Sequence, residues 1–177
     1  MAVRERYSSA QVGLHWLIAA MVGYEIVFSE IAESRWAARM AGLAPNVPSV
    51  NPHMAVGTAV LALSCLRLAI RLRRGAPPPV ERAFLGVAAR ACHAAFYLLL
   101  FTVPLSGLAA WWFGAPQPAQ VHALLSTAMI GLITVHAAAA AAHQVVLRND
   151  VLGRMLPARW AGTAPDPAMR SGVIQDV

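Results

Sequence analysis

Six histidines carry most of the chemistry this sequence offers: His15, His53, His93, His122, His136 and His143. Each falls inside a long apolar run or at its edge. An imidazole in a bilayer is costly, and by default it marks a functional site. A single one serves equally well to hydrogen-bond helices together. Six, with almost no acidic residue among them, point to ligation. The spacing sharpens this reading. His122 and His136 are 14 residues apart, nearly four helical turns, so they share one face and stand ~21 Å apart. One helix then offers a ligand near each membrane face. His53, at the start of another apolar run, is level with His122. His15 lies toward the opposite face, and His136 is its nearest match in depth. His143, about two turns beyond His136, competes for that place. Depth counted from the flanking arginines leaves both open.

Two stacked pairs of facing histidines limit the cofactor. Zinc takes four protein ligands, or three and a water. Haem needs only two, because the porphyrin supplies four nitrogens and its faces are apolar. No Cys-x-x-Cys-His occurs, so such a haem is non-covalent and of b type. Gly13, Ala19, Ala20, Gly57 and the run Ala137 to Ala142 leave room for a macrocycle. Arg67, 14 residues after His53 on the same face, can pair with a haem propionate or snorkel to the interface. Glu25 reads as an interfacial carboxylate rather than a proton relay. No catalytic side chain can be assigned.

The elements that hold these residues follow from composition. Of 177 residues, 58% are hydrophobic and 12% charged, with a mean hydropathy of +0.56. A soluble domain carries about twice that charged fraction, and a disordered chain is poor in apolar residues. Four apolar runs, about 10–28, 52–72, 84–113 and 119–147, are long enough to cross a bilayer as helices. Their Ala- and Leu-rich, non-alternating pattern excludes a barrel. No charged residue occurs from Ala91 to Leu147, and the stretch from Gly114 to Pro118 is expected to break it in two. Trp111 and Trp112 lie just before that break, where an interfacial belt is expected. The expected fold is an all-α transmembrane four-helix bundle, one domain over residues 5–160, followed by a cytoplasmic tail, 161–177. The first run has no cleavage site of the A-x-A type, so it reads as a retained span. Cys65 and Cys92 sit in apolar runs and read as small core residues.

There are 14 arginines and no lysine. They lie between the apolar runs, which speaks for membrane topology and against nucleic acid as a partner. A four-span arrangement puts 12 of the 14 on one side, with Arg67 and Arg90 at helix ends. Arg35 and Arg39, offset by Glu30 and Glu33, lie on the other. The positive-inside rule then places both termini in the cytoplasm. The external loop from Glu30 to Asn51 has room for a short surface helix before Pro45, Pro48 and Pro52 impose irregular structure.

Several local patterns resemble the bacterial cytochrome b561 family. They are Leu14-His15-Trp16 after Tyr7-Ser8, His53-x-x-x-Gly57, the Arg67-Leu68 and Arg71-Leu72 exit, Pro104-Leu105-x-Gly107, and the pair His136 and His143. The resemblance covers essentially the whole chain. It implies a di-haem cytochrome b of the bacterial inner membrane, with iron held by His15 with His136 and by His53 with His122. His143 is then not a ligand. His93 corresponds to a non-ligating histidine that lines the inner haem or a quinone pocket. The resemblance further implies electron exchange with quinone and, as an enzyme, a superoxide:ubiquinone oxidoreductase with ubiquinone as co-substrate. The alternative is an electron-relay or anchor subunit serving another redox protein as donor. A structural membrane protein with histidines as helix glue is a third reading, which b-type bands in a reduced-minus-oxidised spectrum would exclude.

The arginine distribution makes a topological prediction. Reporter fusions after Arg74 and after Ala161 should read cytoplasmic, and a fusion near Asn46 periplasmic. A cytoplasmic reading at Asn46 would overturn the four-span arrangement.

Overall fold

The structure is a computed structural model that describes residues 7–43, 51–75, 83–146 and 153–155. The expected tail, 161–177, the proline-containing part of the connection between the first two expected spans and most of the terminal arginines lie outside the described residues. Five α-helices are present: α1 (Ser9–Val27), α2 (Ser29–Met40), α3 (Pro52–Arg74), α4 (Ala83–Phe113) and α5 (Pro116–Val145). A short 3-10 turn, Gly153–Met155, follows. All but α2 are long and apolar enough to cross a membrane. At 1.5 Å per residue the 23 residues of α3 span ~35 Å, more than the ~30 Å hydrocarbon core.

Local chemistry fixes the helix ends. Ser8 and Gln11 form a capping box at the start of α1. Gln11, itself buried, also donates from Nε2 to the carbonyl of Gly75 at 3.1 Å, tying the start of α1 to the end of α3. Gly75 takes φ 71°, a value that glycine adopts without cost. Asn51 caps α3 by accepting from the Met54 amide at 2.9 Å, and Pro52 opens the first turn. The surface helix expected after the first span is α2.

Three boundaries differ from the sequence reading. Phe28 is a turn residue between α1 and α2 rather than the end of the span. Pro116 and Pro118 belong to the first turn of α5, not to the break. Their missing N–H groups are among those a helix start leaves unpaired. The break is only Gly114, at φ 58°, and Ala115. Arg67 and Arg90 lie well inside α3 and α4 rather than at their ends. Both cysteines are free thiols.

Packing runs α1 on α3, α3 on α4 and α4 on α5. The buried centre is Ile18 of α1, Val60 of α3, Leu99 and Leu100 of α4, and Met129 of α5. Register explains why these residues meet. Val60 is seven residues from His53 and from Arg67, and Met129 is seven from His122 and from His136. Two turns, or ~10 Å, separate each step, so all lie on one helix face. Ile18 is likewise seven residues before Glu25, and Leu100 seven after His93 and seven before Gly107. The bundle therefore has an apolar middle layer between two layers of functional side chains.

Gly107 permits the closest approach of α4 to α5. A Cβ there would stand 3.0 Å from Cε1 and Nδ1 of the His122 ring. Gly107→Val should destabilise the protein by about 1–3 kcal/mol, the usual range for overpacking. Thermal unfolding in detergent should show a lowered midpoint. Gly131→Ala, where no atom lies within 4 Å of the added methyl, should not lower it.

Candidate functional site

The outer layer is built by α1, α3, α4 and α5. His53 occupies the first turn of α3, held by the Asn51 cap. Its Nδ1 meets the carboxylate of Glu25 from α1. Its ring centre lies 5.8 Å from that of His122, with the planes at 90°. A metal–imidazole bond is ~2 Å long, so one ion between two such rings puts their centres about 6 Å apart. The His122 ring is fixed from its far side. Its Nδ1 sits 2.8 Å from the carbonyl of Val103, which also accepts from the Ser106 hydroxyl at 2.8 Å. With Nδ1–H donating to a carbonyl, Nε2 is the nitrogen left to bind a metal, the usual second partner of a ligating histidine.

Beside this pair is a cavity of about 780 Å³, lined among others by Glu25, His53, Gly57, Trp111, Gln120 and His122. Its size is that of a cofactor site. Gly57, one turn after His53, has no atom within 4 Å of where a side chain would begin, so its lack of one keeps the cavity open. Trp36 of α2 also lines the cavity. Its ring centre is 6.5 Å from that of Trp111, and the guanidinium of Arg39 stacks 4.7 Å above Trp111.

The inner layer gathers His15, His93, His136 and Arg67. The rings of His93 and His136 lie 5.7 Å apart at 82°, and Phe96 packs edge-on to His136 at 5.2 Å. His93 Nδ1 bonds to the carbonyl of Ala89 at 2.6 Å. His15 stacks edge-on with Trp16 at 5.3 Å and lies within electrostatic range of Arg67, His136 and His93. Arg67 is similarly placed toward Tyr97 and Tyr7. Two polar atoms here are buried without a hydrogen-bond partner, His15 Nδ1 and the Tyr97 hydroxyl. The Trp16 indole donates to the carbonyl of Met155 at 2.6 Å, closing the 3-10 turn over this end of α1. His143 is half-buried near the end of α5.

The structure thus brings His53 to His122, and places His136 against His93 with His15 and Arg67 nearby. No group of three or more His, Cys, Asp or Glu side chains converges as a bare metal ion requires among the described residues. Facing imidazoles, a cavity of cofactor size and orphaned buried polar atoms fit haem instead. Sequence reading missed two features. The half-buried Glu25 turns its carboxylate toward His53, because α1 faces it inward at the level of the α3 cap. The Val103 carbonyl orients His122, a contact that depends on α4 and α5 packing and leaves no mark in either segment alone.

Comparison with known proteins agrees with these features. Residues 6–158 match the family model described as prokaryotic cytochrome b561. Cytochrome b562 of Cereibacter sphaeroides is 35% identical, over 86% of this chain and 96% of its own. The probable superoxide oxidase CybB of Yersinia pestis is 30% identical, over 88% and 98%. Cytochrome b561 homolog 2 of Escherichia coli is 26% identical, over 86% and 92%. No solved structure matches the chain. The chain belongs to the prokaryotic cytochrome b561 family, multi-pass bacterial membrane proteins that transfer electrons with haem b.

Proposed function

We propose that the chain holds two b haems and passes electrons from an external donor, superoxide, to ubiquinone. The observation that carries this reading is the two histidine levels on α5: His122 faces His53, and His136 has His93 against it with His15 nearby. His53 and His122 would hold the outer haem. His15 and His136 would hold the inner one, with Arg67 as counter-charge to a propionate. His93, tied to its own helix backbone, would line the inner haem or the quinone site beside it. When bound, each haem supplies a one-electron ferric/ferrous couple. The protein's own part is to fix ring orientation, keep water from the middle layer and present polar anchors at each end. The unpartnered Tyr97 hydroxyl near Arg67 is such an anchor for a quinone carbonyl. Both termini lie in the cytoplasm, so the His53 level faces the periplasm.

In the overall reaction two superoxide anions each lose one electron and become dioxygen. Ubiquinone gains those two electrons and two protons and becomes ubiquinol. Arg39, stacked on the cavity-lining Trp111, and Arg35 on the same helix are the external cations available to attract an anion. The similarity to the probable superoxide oxidase supports this choice of donor. One observation favours a second reading. Glu25 and Glu33 line the cavity, and an acidic lining suits a neutral or cationic donor, as for a relay subunit serving another redox protein.

Haem content tests the pairing. Pyridine haemochrome quantitation should give two haems per chain in the wild type and one in each of His15→Ala, His53→Ala, His122→Ala and His136→Ala. His143→Ala should keep both, and a haem lost there would reassign the inner ligand. Activity tests the donor. The purified chain should reduce ubiquinone while superoxide is generated, at a rate that falls as salt rises. Joint neutralisation of Arg35 and Arg39 should slow it with haem content unchanged. A fully loaded protein inert toward superoxide would establish the relay reading instead.

A further inference from the structure

Glu25 is the only acidic residue within the four spanning helices among the described residues. It is 15% exposed. A carboxylate so placed is costly unless it is paired. Its partner is His53 Nδ1, and neither oxygen makes a hydrogen bond elsewhere among the described residues. The other site histidines differ. His122 and His93 direct Nδ1 to neutral backbone carbonyls, and His15 Nδ1 has no partner. One imidazole of the outer level therefore faces a carboxyl group, and no such pairing occurs at the inner level among the described residues. The asymmetry is built by packing, since α1 and α3 place Glu25 and His53 together from sites 28 residues apart.

The geometry points to Glu25 as a positioning residue that lowers the reduction potential of the outer haem through His53. The inference rests on the two-haem reading above. Two effects act in the same direction. A carboxylate accepting the Nδ1–H fixes the tautomer that leaves Nε2 for iron, and it makes the ring a stronger electron donor to the ferric ion. Its charge, in a low-dielectric setting, also favours the more positive, oxidised centre. In this role Glu25 acts through the His53 ring. The outer couple then lies below where a bis-histidine site without the carboxylate would put it, and electrons arriving from outside have a stronger drive toward the inner level.

Spectroelectrochemical titration of the full haem-loaded chain in detergent tests this. The outer midpoint is identified as the one missing in His122→Ala. Glu25→Gln keeps the shape and removes the charge. It should bind two haems and raise the outer midpoint alone. At a fixed ambient potential the ferrous-to-ferric ratio of that haem should rise about tenfold, which is 59 mV for a one-electron couple. Glu25→Asp, charged but shorter, should shift it less. Unmoved midpoints in a two-haem Glu25→Gln protein, or equal shifts of both, would overturn the inference. If Glu25→Gln loses the outer haem, Glu25→Asp decides. An upward shift confined to the outer midpoint supports the role, and an unmoved one overturns it. A wild-type protein with fewer than two haems would instead refute the two-haem reading itself.

Discussion

The rest of the structure depends on a register constraint. On α3, α4 and α5 the site residues of the two levels are fourteen apart (His53 and Arg67, His93 and Gly107, His122 and His136), so each returns to the same face after about four turns. With α1, α3, α4 and α5 packed side by side, a shared period aligns their layers. His53, His122, Gly107 and Glu25 meet at one level, and Arg67, His136 and His93 at the other. Ile18, Val60, Leu100 and Met129 fall between. A shift of one residue on any helix would turn these side chains by about 100°, away from the others of their level. The capping contacts at Ser8 and Asn51 matter for this reason. They set where each helix begins, and through that the depth of His15 and His53.

The two layers share a plan and differ in their polar environment. At the outer level every ring nitrogen away from the cavity has a partner, and the space beside the rings is large. At the inner level two polar atoms are buried without partners, and arginine and tyrosine side chains surround them. Unsatisfied groups of this kind are uncommon in folded proteins and ask for an occupant. Different surroundings around like histidines would, on the proposed reading, give two haems in one bundle different properties.

Much of this was legible in the sequence because the relevant signals are local. The four spans follow from runs of apolar residues, and the layering on α5 follows from two histidines fourteen apart. The surface helix after Phe28 was legible as well. What the sequence hid depends on which faces of different helices meet. Glu25 sits two residues from the end of α1, where an interfacial carboxylate is the ordinary expectation. Only the approach of α3 shows that it points inward. Pro116 and Pro118 were read as a break because proline ends helices, yet the first turn is where proline is tolerated. The Val103–His122 contact joins residues on two helices and has no one-dimensional signature.

The middle layer has a consequence for energetics across the membrane. Its residues are apolar and pack together, and no acidic side chain is among them. On the proposed two-haem reading, an electron moving inward over the ~21 Å between the two levels would cross most of the membrane's electric field. For a full crossing this costs about 2.3 kcal/mol per 100 mV when the interior is negative. On the same reading, transfer past the layer of Ile18, Val60, Leu100 and Met129 would be electrogenic. Its rate and direction would become sensitive to the membrane voltage as well as to the two couples at its ends.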